Sequence, residues 1–144
     1  MALRKVLVLN GPNLNLLGTR EPEIYGHETL DAINARLIEQ GKVLGLEVEC
    51  RQSNHEGVLV DWLHEARGAV HAVLFNAGAY THTSIALHDA IKGTQLRVIE
   101  VHLSDPETRE PFRHISYIGM AAIEVVKGLG AKSYEVALEK AAAL

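Results

Sequence analysis

VLVLNGPNLNLLGTREPEIYG, residues 6–26, joins a strand-like run to a loop of unusual length. The consecutive aliphatic residues at 6–9 predict a buried β-strand. The next helical pattern begins only near Thr29, whereas a strand of a parallel sheet usually reaches its helix within a few residues. Loops of this length are lids, binding loops or disordered segments. Because aliphatic residues recur along it, we predict an ordered loop that carries Arg20 and Tyr25 to the mouth of a sheet.

The rest of the chain alternates between strand-like and helix-like segments. Further strands are predicted at 46–50, 69–75, 96–101 and 123–126. Helices are predicted after caps at Thr29, at Asn54 and near Thr81, and a closing helix at 133–144. Apolar strands separated by helices are typical of a parallel sheet covered on both faces. We therefore predict an α/β fold of the flavodoxin-like type. It is a three-layer sandwich with a five-stranded parallel sheet of order 2-1-3-4-5, in a single domain over 1–144.

This strand order also predicts where a ligand binds. In such sheets ligands lie beyond the carboxyl ends of the strands, at the switch point between strands 1 and 3. The loops at that edge are 10–26, 76–81 and 102–116, and they hold most of the unusual polar residues of the chain. Fold and chemistry therefore indicate the same place.

Composition excludes several classes of function. A chain of 144 residues with 47% hydrophobic content can bury a core, and its net charge of -4 gives no reason to expect nucleic acid as a partner. Its apolar runs fall well short of the roughly 18 residues that span a bilayer, and the N-terminus lacks a secretory pattern. Cys50 is the only cysteine, which excludes an intrachain disulfide. We expect an inert core thiol in a cytoplasmic protein.

Motifs for cofactors and metals are weak. The loop after the first strand lacks the glycine spacing of dinucleotide- and phosphate-binding loops. Residues 128–133 superficially resemble a phosphate loop, but their spacing favours a turn that leads into a helix. The histidines form no His-Glu-x-x-His motif, and a single cysteine removes the common structural zinc sets. We expect neither a metal nor an organic cofactor.

Two pairs of residues could carry acid–base chemistry. An arginine beside a tyrosine stabilises the phenolate, so Arg20 could make Tyr25 a base. Alternatively, the ring packs under the loop and the arginine pairs with a glutamate in solvent. Glu100 and His102 are two residues apart at a strand end, so they project from the same face. The carboxylate would fix the imidazole tautomer and favour its protonated form, although a solvated strand end explains the pair equally well.

Polar residues of the neighbouring loops could bind an anion. Asn76 ends the third strand, and His82 lies in the segment that opens the next helix, whose N-terminus favours an anionic or polar group. Arg109 and Arg113 are four residues apart, so a helical turn would place both on one side. The alternative for the arginines is ordinary surface charge. Together these residues predict a base, an acid and an oxyanion-binding pocket at one sheet edge.

Four motifs occur in order along nearly the whole chain. They are NGPNLNLLGTREPEIYG at 10–26, QSNHEG at 52–57, NAGAYTHTS at 76–84 and IEVHLS at 99–104. In all four the chain resembles the type II 3-dehydroquinate dehydratases. The resemblance implies a cofactor-free dehydration of 3-dehydroquinate to 3-dehydroshikimate in the shikimate pathway, which leads to chorismate and the aromatic amino acids. It also favours the functional interpretation of the pairs above.

The resemblance implies a role for each catalytic residue. Tyr25 matches the general base that removes the C2 proton, Arg20 matches the lid arginine, and Arg109 falls at a position associated with activating that tyrosine. Asn13 matches the residue that holds a water at the enolate oxygen. His102, oriented by Glu100, matches the general acid for the departing C1 hydroxyl.

The resemblance also implies how substrate is bound and how subunits assemble. Asn76, Ser104 and the Leu103 backbone would hold the substrate carboxylate, His82 and Arg113 would hold ring hydroxyls, and Asp89 would reach a neighbouring subunit's site. The family assembles as trimers packed into dodecamers. We therefore expect a homododecamer built as a tetramer of trimers.

Departures from the family pattern are few. Asp105 stands where an asparagine is usual, and we expect its side chain to point away from the carboxylate pocket. Gly119 and Glu124 are also unusual for the family and leave the position of the fifth strand open.

The rival interpretations of the function are a flavin- or nucleotide-binding module, a serine esterase or amidase, and the lysine Schiff-base type of dehydroquinase. The esterase lacks its G-x-S-x-G motif here.

Overall fold

The computed structural model describes residues 3–19, 21–25 and 27–144, without the side chains of Pro22 and Tyr25. Its strands are β1 (Arg4–Asn10), β2 (Leu46–Gln52), β3 (Ala72–Asn76), β4 (Val98–Val101) and β5 (Glu124–Val126). Its α-helices are α1 (Pro22–Tyr25), α2 (Leu30–Leu44), α3 (Glu56–Ala66), α4 (Ile85–Thr94) and α5 (Lys132–Ala142). Short 3₁₀ helices form at Leu14–Leu16, Gly78–His82, Pro106–Thr108 and Pro111–Arg113.

The strands form one parallel sheet of order β2-β1-β3-β4-β5, which confirms the predicted topology. β1 lies between β2 and β3, and the strand order reverses there. In the register, Asn10 lies opposite both Gln52 and Asn76, and Phe75 lies opposite Glu100. Polar residues at the ends of separate strands are therefore neighbours at the carboxyl edge of the sheet.

Two apolar cores cover the two faces of this sheet. Val6 and Val8 of β1 pack with α2 and α5, whereas Leu7 and Leu9 pack with α3 and α4. All four side chains are buried. A strand covered on both faces needs apolar residues at every position, which explains the uninterrupted aliphatic run in the sequence. The helices on both faces complete the three layers.

The observed boundaries correct several predicted ones. β3 begins at Ala72 instead of residue 69, because Gly68 has a φ of 72° and the Ala69 N–H bonds back to the Ala66 carbonyl. The strand therefore begins only after this turn. β4 begins at Val98 instead of residue 96, after a left-handed residue that ends α4. β5, predicted at 123–126, forms at Glu124–Val126 beside β4.

One of the three predicted helix caps is confirmed and two are wrong. The Thr29 hydroxyl accepts the Ala32 N–H at 3.2 Å and caps α2 as predicted. Asn54 does not cap α3, because its Oδ1 accepts the N–H of Asn13 in the first loop. α4 begins later than predicted and is capped by Ser84, because Gly78–His82 forms a 3₁₀ helix instead.

The first loop is ordered over residues 11–19, as predicted. Leu14 and Leu17 are buried against the core shared with α2. The Gly11 N–H donates to the Asn76 carbonyl at 2.8 Å, and a Cβ on Gly11 would lie 2.3 Å from the Ala77 carbonyl oxygen. Only glycine allows this close approach, so the loop is seated on the end of β3. Arg20 and the side chain of Tyr25, which the loop was predicted to carry, lie outside the described residues.

Candidate active site

A cavity of about 270 Å³ opens at the carboxyl ends of β1, β3 and β4, at the predicted switch point. It is lined by eight of the residues singled out from the sequence: Asn13, Asn76, His82, His102, Leu103, Ser104, Arg109 and Arg113. No lysine is among the described residues that line it. The segments predicted to share one site therefore do meet.

The Glu100–His102 pair is buried at the end of β4. The two side chains project from the same face of the strand, and His102 Nε2 lies 2.6 Å from Glu100 Oε2. Because a carboxylate oxygen accepts, Nε2 carries the proton in this bond. The whole residues are only 2% (Glu100) and 8% (His102) exposed. The solvated strand end, which the sequence left open, is therefore wrong.

Ser116 binds the same Glu100 oxygen as His102, and Gly119 in turn binds Ser116. The Ser116 hydroxyl donates to Glu100 Oε2 at 2.6 Å, and it accepts the Gly119 N–H at 2.8 Å. A Cβ at residue 119 would lie 2.7 Å from Glu100 Oε1, so the glycine makes room for the carboxylate. The sequence analysis missed Ser116, since nothing local shows that this loop folds back onto β4.

The environment of Glu100 favours the charged carboxylate. Burial pushes the pKa of Glu100 upward, but the hydrogen bond and charge of His102, together with the hydrogen bond from Ser116, hold it below its usual value. Glu100 is therefore ionised in the folded protein at neutral pH. This fixed negative charge sets the orientation of the His102 ring.

Asn76 is held by a second buried network. Its Nδ2 donates to the Tyr134 hydroxyl at 2.9 Å, and that hydroxyl donates to Asn10 Oδ1 at 2.5 Å. Its Oδ1 accepts the Gly78 N–H at 3.2 Å. The sequence analysis did not find Tyr134, which lies 58 residues from Asn76 in an alanine-rich helix.

Two arginines form the cationic wall of the cavity. Arg109 Nη1 approaches the Ser104 hydroxyl at 3.4 Å, and Arg113 Nε donates to Glu110 Oε1 at 2.8 Å. Both guanidinium side chains are largely buried. Both line the same cavity: Arg109 directly follows the 3₁₀ helix Pro106–Thr108, and Arg113 ends the one at Pro111–Arg113. Ordinary surface charge is therefore the wrong interpretation of this pair.

His82 presents a neutral ring. Its Nδ1 lies 2.8 Å from the Ile115 carbonyl oxygen, which can only accept, so Nδ1 carries the proton. Burial lowers the pKa of His82 below its usual value, the carbonyl bond opposes this, and the nearby charges of His102 and Arg113 add to the lowering. At neutral pH the other ring nitrogen is therefore an acceptor, which suits a hydroxyl group of a ligand.

The second motif of the sequence supports the first loop. Asn13 has a left-handed backbone with a φ of 70°, and its N–H donates to Asn54 Oδ1 at 3.1 Å. The Gln52 amide donates to the same Asn54 oxygen and to the Gly11 carbonyl, each at 3.1 Å. These bonds hold Asn13 in place at the cavity wall.

The structure does not bring every predicted residue to this cavity. Asp89 lies on α4 and lines a separate cavity with His64 and Arg67. Asp105 does not line the main cavity, because its carboxylate accepts the Glu107 N–H at 3.1 Å and approaches Lys127 Nζ at 3.5 Å. We expected its side chain to point away from the carboxylate pocket, and these contacts agree with that.

Three further predictions from the sequence concerned a metal site, a membrane-spanning segment and the reactivity of Cys50. Within the described residues, no three His, Cys, Asp or Glu side chains are grouped so that they could hold a metal ion. No helix in the described ranges is long and apolar enough to cross a membrane. Burial raises the pKa of the Cys50 thiol to about 12, which keeps it protonated and unreactive.

The sequence model of the family described as Dehydroquinase class II matches residues 4–142. The chain belongs to the class II dehydroquinase family. It is 58% identical over 141 residues to a 3-dehydroquinate dehydratase of Variovorax paradoxus, covering 94% of this chain and 97% of that protein. The crystal structure of a type II dehydroquinase from Butyrivibrio crossotus superimposes with a TM-score of 0.95 at 41% identity, covering 98% of this chain and 99% of the other. One from Propionibacterium acnes gives 0.94 at 44% identity, with 98% and 97% coverage.

The pH dependence of stability tests the charge state of Glu100 in this class II dehydroquinase. Its pKa is lower in the folded than in the unfolded chain, so the carboxylate stabilises the fold above the unfolded pKa. That contribution is lost as the pH falls through the folded pKa. We expect a Glu100→Gln variant to lose less stability than the wild type when urea unfolding is compared between about pH 7 and about pH 3.

The matched control is Glu39→Gln, at an exposed carboxylate paired with Lys42 on the surface of α2. Because exposed pairs contribute little, this variant should follow the wild-type pH dependence. Equal losses in the wild type and in Glu100→Gln would contradict a carboxylate that is ionised because of its partners.

Proposed function

We propose that this chain dehydrates 3-dehydroquinate to 3-dehydroshikimate in the shikimate pathway. Membership of the class II dehydroquinases makes it a carbon–oxygen hydro-lyase of the type II class. The observation that carries the proposal is the buried Glu100–His102 pair, which opens on a cavity that Asn76 and Ser104 also line. This arrangement offers an oriented acid beside hydrogen-bonding groups for a carboxylate.

The reaction begins with proton removal by Tyr25. The phenolate takes a proton from C2, next to the C3 ketone, and the electron pair moves to the ketone oxygen as an enolate. Arg20 from the lid and Arg109 from the cavity wall stabilise the phenolate. The family resemblance supports these roles, and the position of Arg109 on the cavity is compatible with its role. Asn13 holds a water at the enolate oxygen, where negative charge develops.

His102 completes the elimination. The enolate collapses to form the C1–C2 double bond, the C1–oxygen bond breaks, and the hydroxyl takes a proton from the imidazolium to leave as water. The 2.6 Å bond to ionised Glu100 supports this role, because it orients the ring and places a negative charge beside it. Proton removal and proton donation are thus assigned to two different groups.

Substrate is held by groups on both sides of the cavity. Asn76, the Ser104 hydroxyl and the Leu103 backbone bind the carboxylate, and His82 and Arg113 bind ring hydroxyls. A neutral His82 with a free acceptor nitrogen supports this assignment, as does the nearby positive charge of the arginines. The lack of lysine among the described lining residues disfavours the Schiff-base chemistry of the other dehydroquinase type.

An activity assay with a metal chelator present tests the reaction, and a Tyr25 variant tests the proposed base. We expect purified protein to convert 3-dehydroquinate to a product with the ultraviolet absorbance of a conjugated enone, in the presence of EDTA. Tyr25→Phe removes the base and should lower kcat by about a hundredfold or more. The control is Tyr117→Phe, a hydroxyl deletion at a tyrosine that does not line the cavity. Wild-type turnover in Tyr25→Phe would refute the base assignment.

The acid is tested separately. His102→Ala should still bind substrate but should lose kcat by a similar factor, because the leaving hydroxyl is no longer protonated. Steady-state kinetics together with calorimetric binding of substrate separate the two effects. A His102→Ala variant that turns over at full speed would show that another group is the acid.

We also propose a homododecamer built as a tetramer of trimers, in which Asp89 reaches a neighbouring subunit's site. The family resemblance supports this, together with the open edge of the sheet at β5, where Val125 is 42% exposed and the preceding Met120 and Ile123 are 61% and 50% exposed. Exposed apolar strand edges are normally covered. Sedimentation should give twelve times the 15.7 kDa of one chain, and a monomer at working concentration would contradict the proposal.

A further inference from the structure

We propose that residues 128–134, and Tyr134 in particular, are the positioning element of the carboxylate subsite. Tyr134 would fix the Asn76 amide so that the cavity meets an N–H donor rather than a carbonyl acceptor. The element would thereby select substrates that carry an anionic acceptor group at this point. This inference rests on the proposed function, since it explains how that same subsite is held.

The orientation of the Asn76 amide follows from what its neighbours can do. The Gly78 backbone N–H can only donate, and it lies 3.2 Å from one amide atom of Asn76, which must therefore be the oxygen. The other amide atom is then the nitrogen, and it donates to the Tyr134 hydroxyl at 2.9 Å. A flipped amide would place two donors against each other at Gly78.

Tyr134 can accept from Asn76 because its own proton is used elsewhere. The hydroxyl donates to Asn10 Oδ1 at 2.5 Å, which leaves its lone pairs free to accept. Burial raises the pKa of Tyr134, so the hydroxyl keeps the proton that it donates. Asn10 and Tyr134 are fully buried and Asn76 is 4% exposed, so bulk water cannot replace these partners.

One donor remains for a ligand. An amide nitrogen carries two hydrogens, and Tyr134 takes one of those on Asn76. The amide oxygen is occupied by Gly78. The remaining N–H belongs to a residue that lines the cavity, so the chemistry offered there is donation to an acceptor such as a carboxylate oxygen.

The turn before α5 holds the other half of the subsite. The Gly128 N–H donates to the Ser104 carbonyl at 3.1 Å, and the Gly130 N–H donates to the Leu103 carbonyl at 2.9 Å. Both glycines have positive φ, at 80° and 63°, a conformation that glycine adopts without strain. One continuous segment therefore contacts Asn76, Leu103 and Ser104. Residues 128–133, which superficially resemble a phosphate loop, thus hold the backbone of Leu103 and Ser104 in place.

A double-mutant cycle tests the inference. Tyr134→Phe keeps the ring and removes the hydroxyl, so the Asn76 amide loses its anchor. We expect KM for 3-dehydroquinate to rise about tenfold or more while kcat stays within about threefold, because a contact made equally in ground and transition states is weakened. In an Asn76→Ala background, Tyr134→Phe should raise KM no further, since its effect passes through Asn76. Tyr117→Phe is the matched hydroxyl deletion and should leave KM unchanged.

Three results would overturn the inference. Tyr134→Phe could leave KM unchanged, or it could lower kcat at constant KM. The effects of Tyr134→Phe and Asn76→Ala on KM could also be additive. If Tyr134→Phe does not fold, Asn10→Ala provides a second test, because it removes the acceptor that orients the Tyr134 hydroxyl. KM must then rise as well, by a smaller factor. If the wild type has no dehydratase activity, the proposed function is wrong, but the positioning role of Tyr134 can still be tested. The positioning claim is then decided by NMR of the Asn76 side-chain amide in isotope-labelled protein. Its hydrogen exchange must be faster in Tyr134→Phe than in Tyr117→Phe, and equal exchange refutes the claim.

Discussion

The parallel register of β1, β3 and β4 is the constraint on which the site depends. It places Asn10 opposite Asn76 and Phe75 opposite Glu100, so polar residues from distant parts of the sequence meet at one edge. Residues 6–9 of β1 and 72–75 of β3 are apolar and buried, with side chains on both faces of the sheet. A slip of one residue would turn every side chain to the other face of the sheet. Core packing therefore also fixes the position of the chemical groups.

Glu100 and Asn76 are buried at this edge and are hydrogen-bonded there. An unpaired carboxylate in such a place would be costly, and Glu100 avoids that cost through His102 and Ser116. On the other flank, Tyr134 links Asn10 to Asn76. Each network joins a strand end to a segment that returns from later in the chain. The two networks hold the proposed acid, His102, and the proposed anion-binding amide of Asn76 on rigid elements, as precise catalysis requires.

Much of this could be predicted from the sequence, because local patterns determine it. Apolar runs and their spacing gave the five-stranded parallel order, and the two-residue spacing of Glu100 and His102 predicted their common face. Long-range contacts could not be predicted. Asn54 has the chemistry of a helix cap, but Asn13 competes successfully for its oxygen. Ser116 reaches its partner only because the loop after β4 folds back, and such a return has no local signal.

The most direct measurement is a crystal structure of the Tyr25→Phe variant with 3-dehydroquinate bound. The carboxylate should be hydrogen-bonded to the Asn76 amide and the Ser104 hydroxyl, and the C1 hydroxyl should lie within hydrogen-bond distance of the His102 imidazole. A substrate bound in another cavity, or with its C1 hydroxyl out of reach of His102, would contradict the assignment of the acid and of the site.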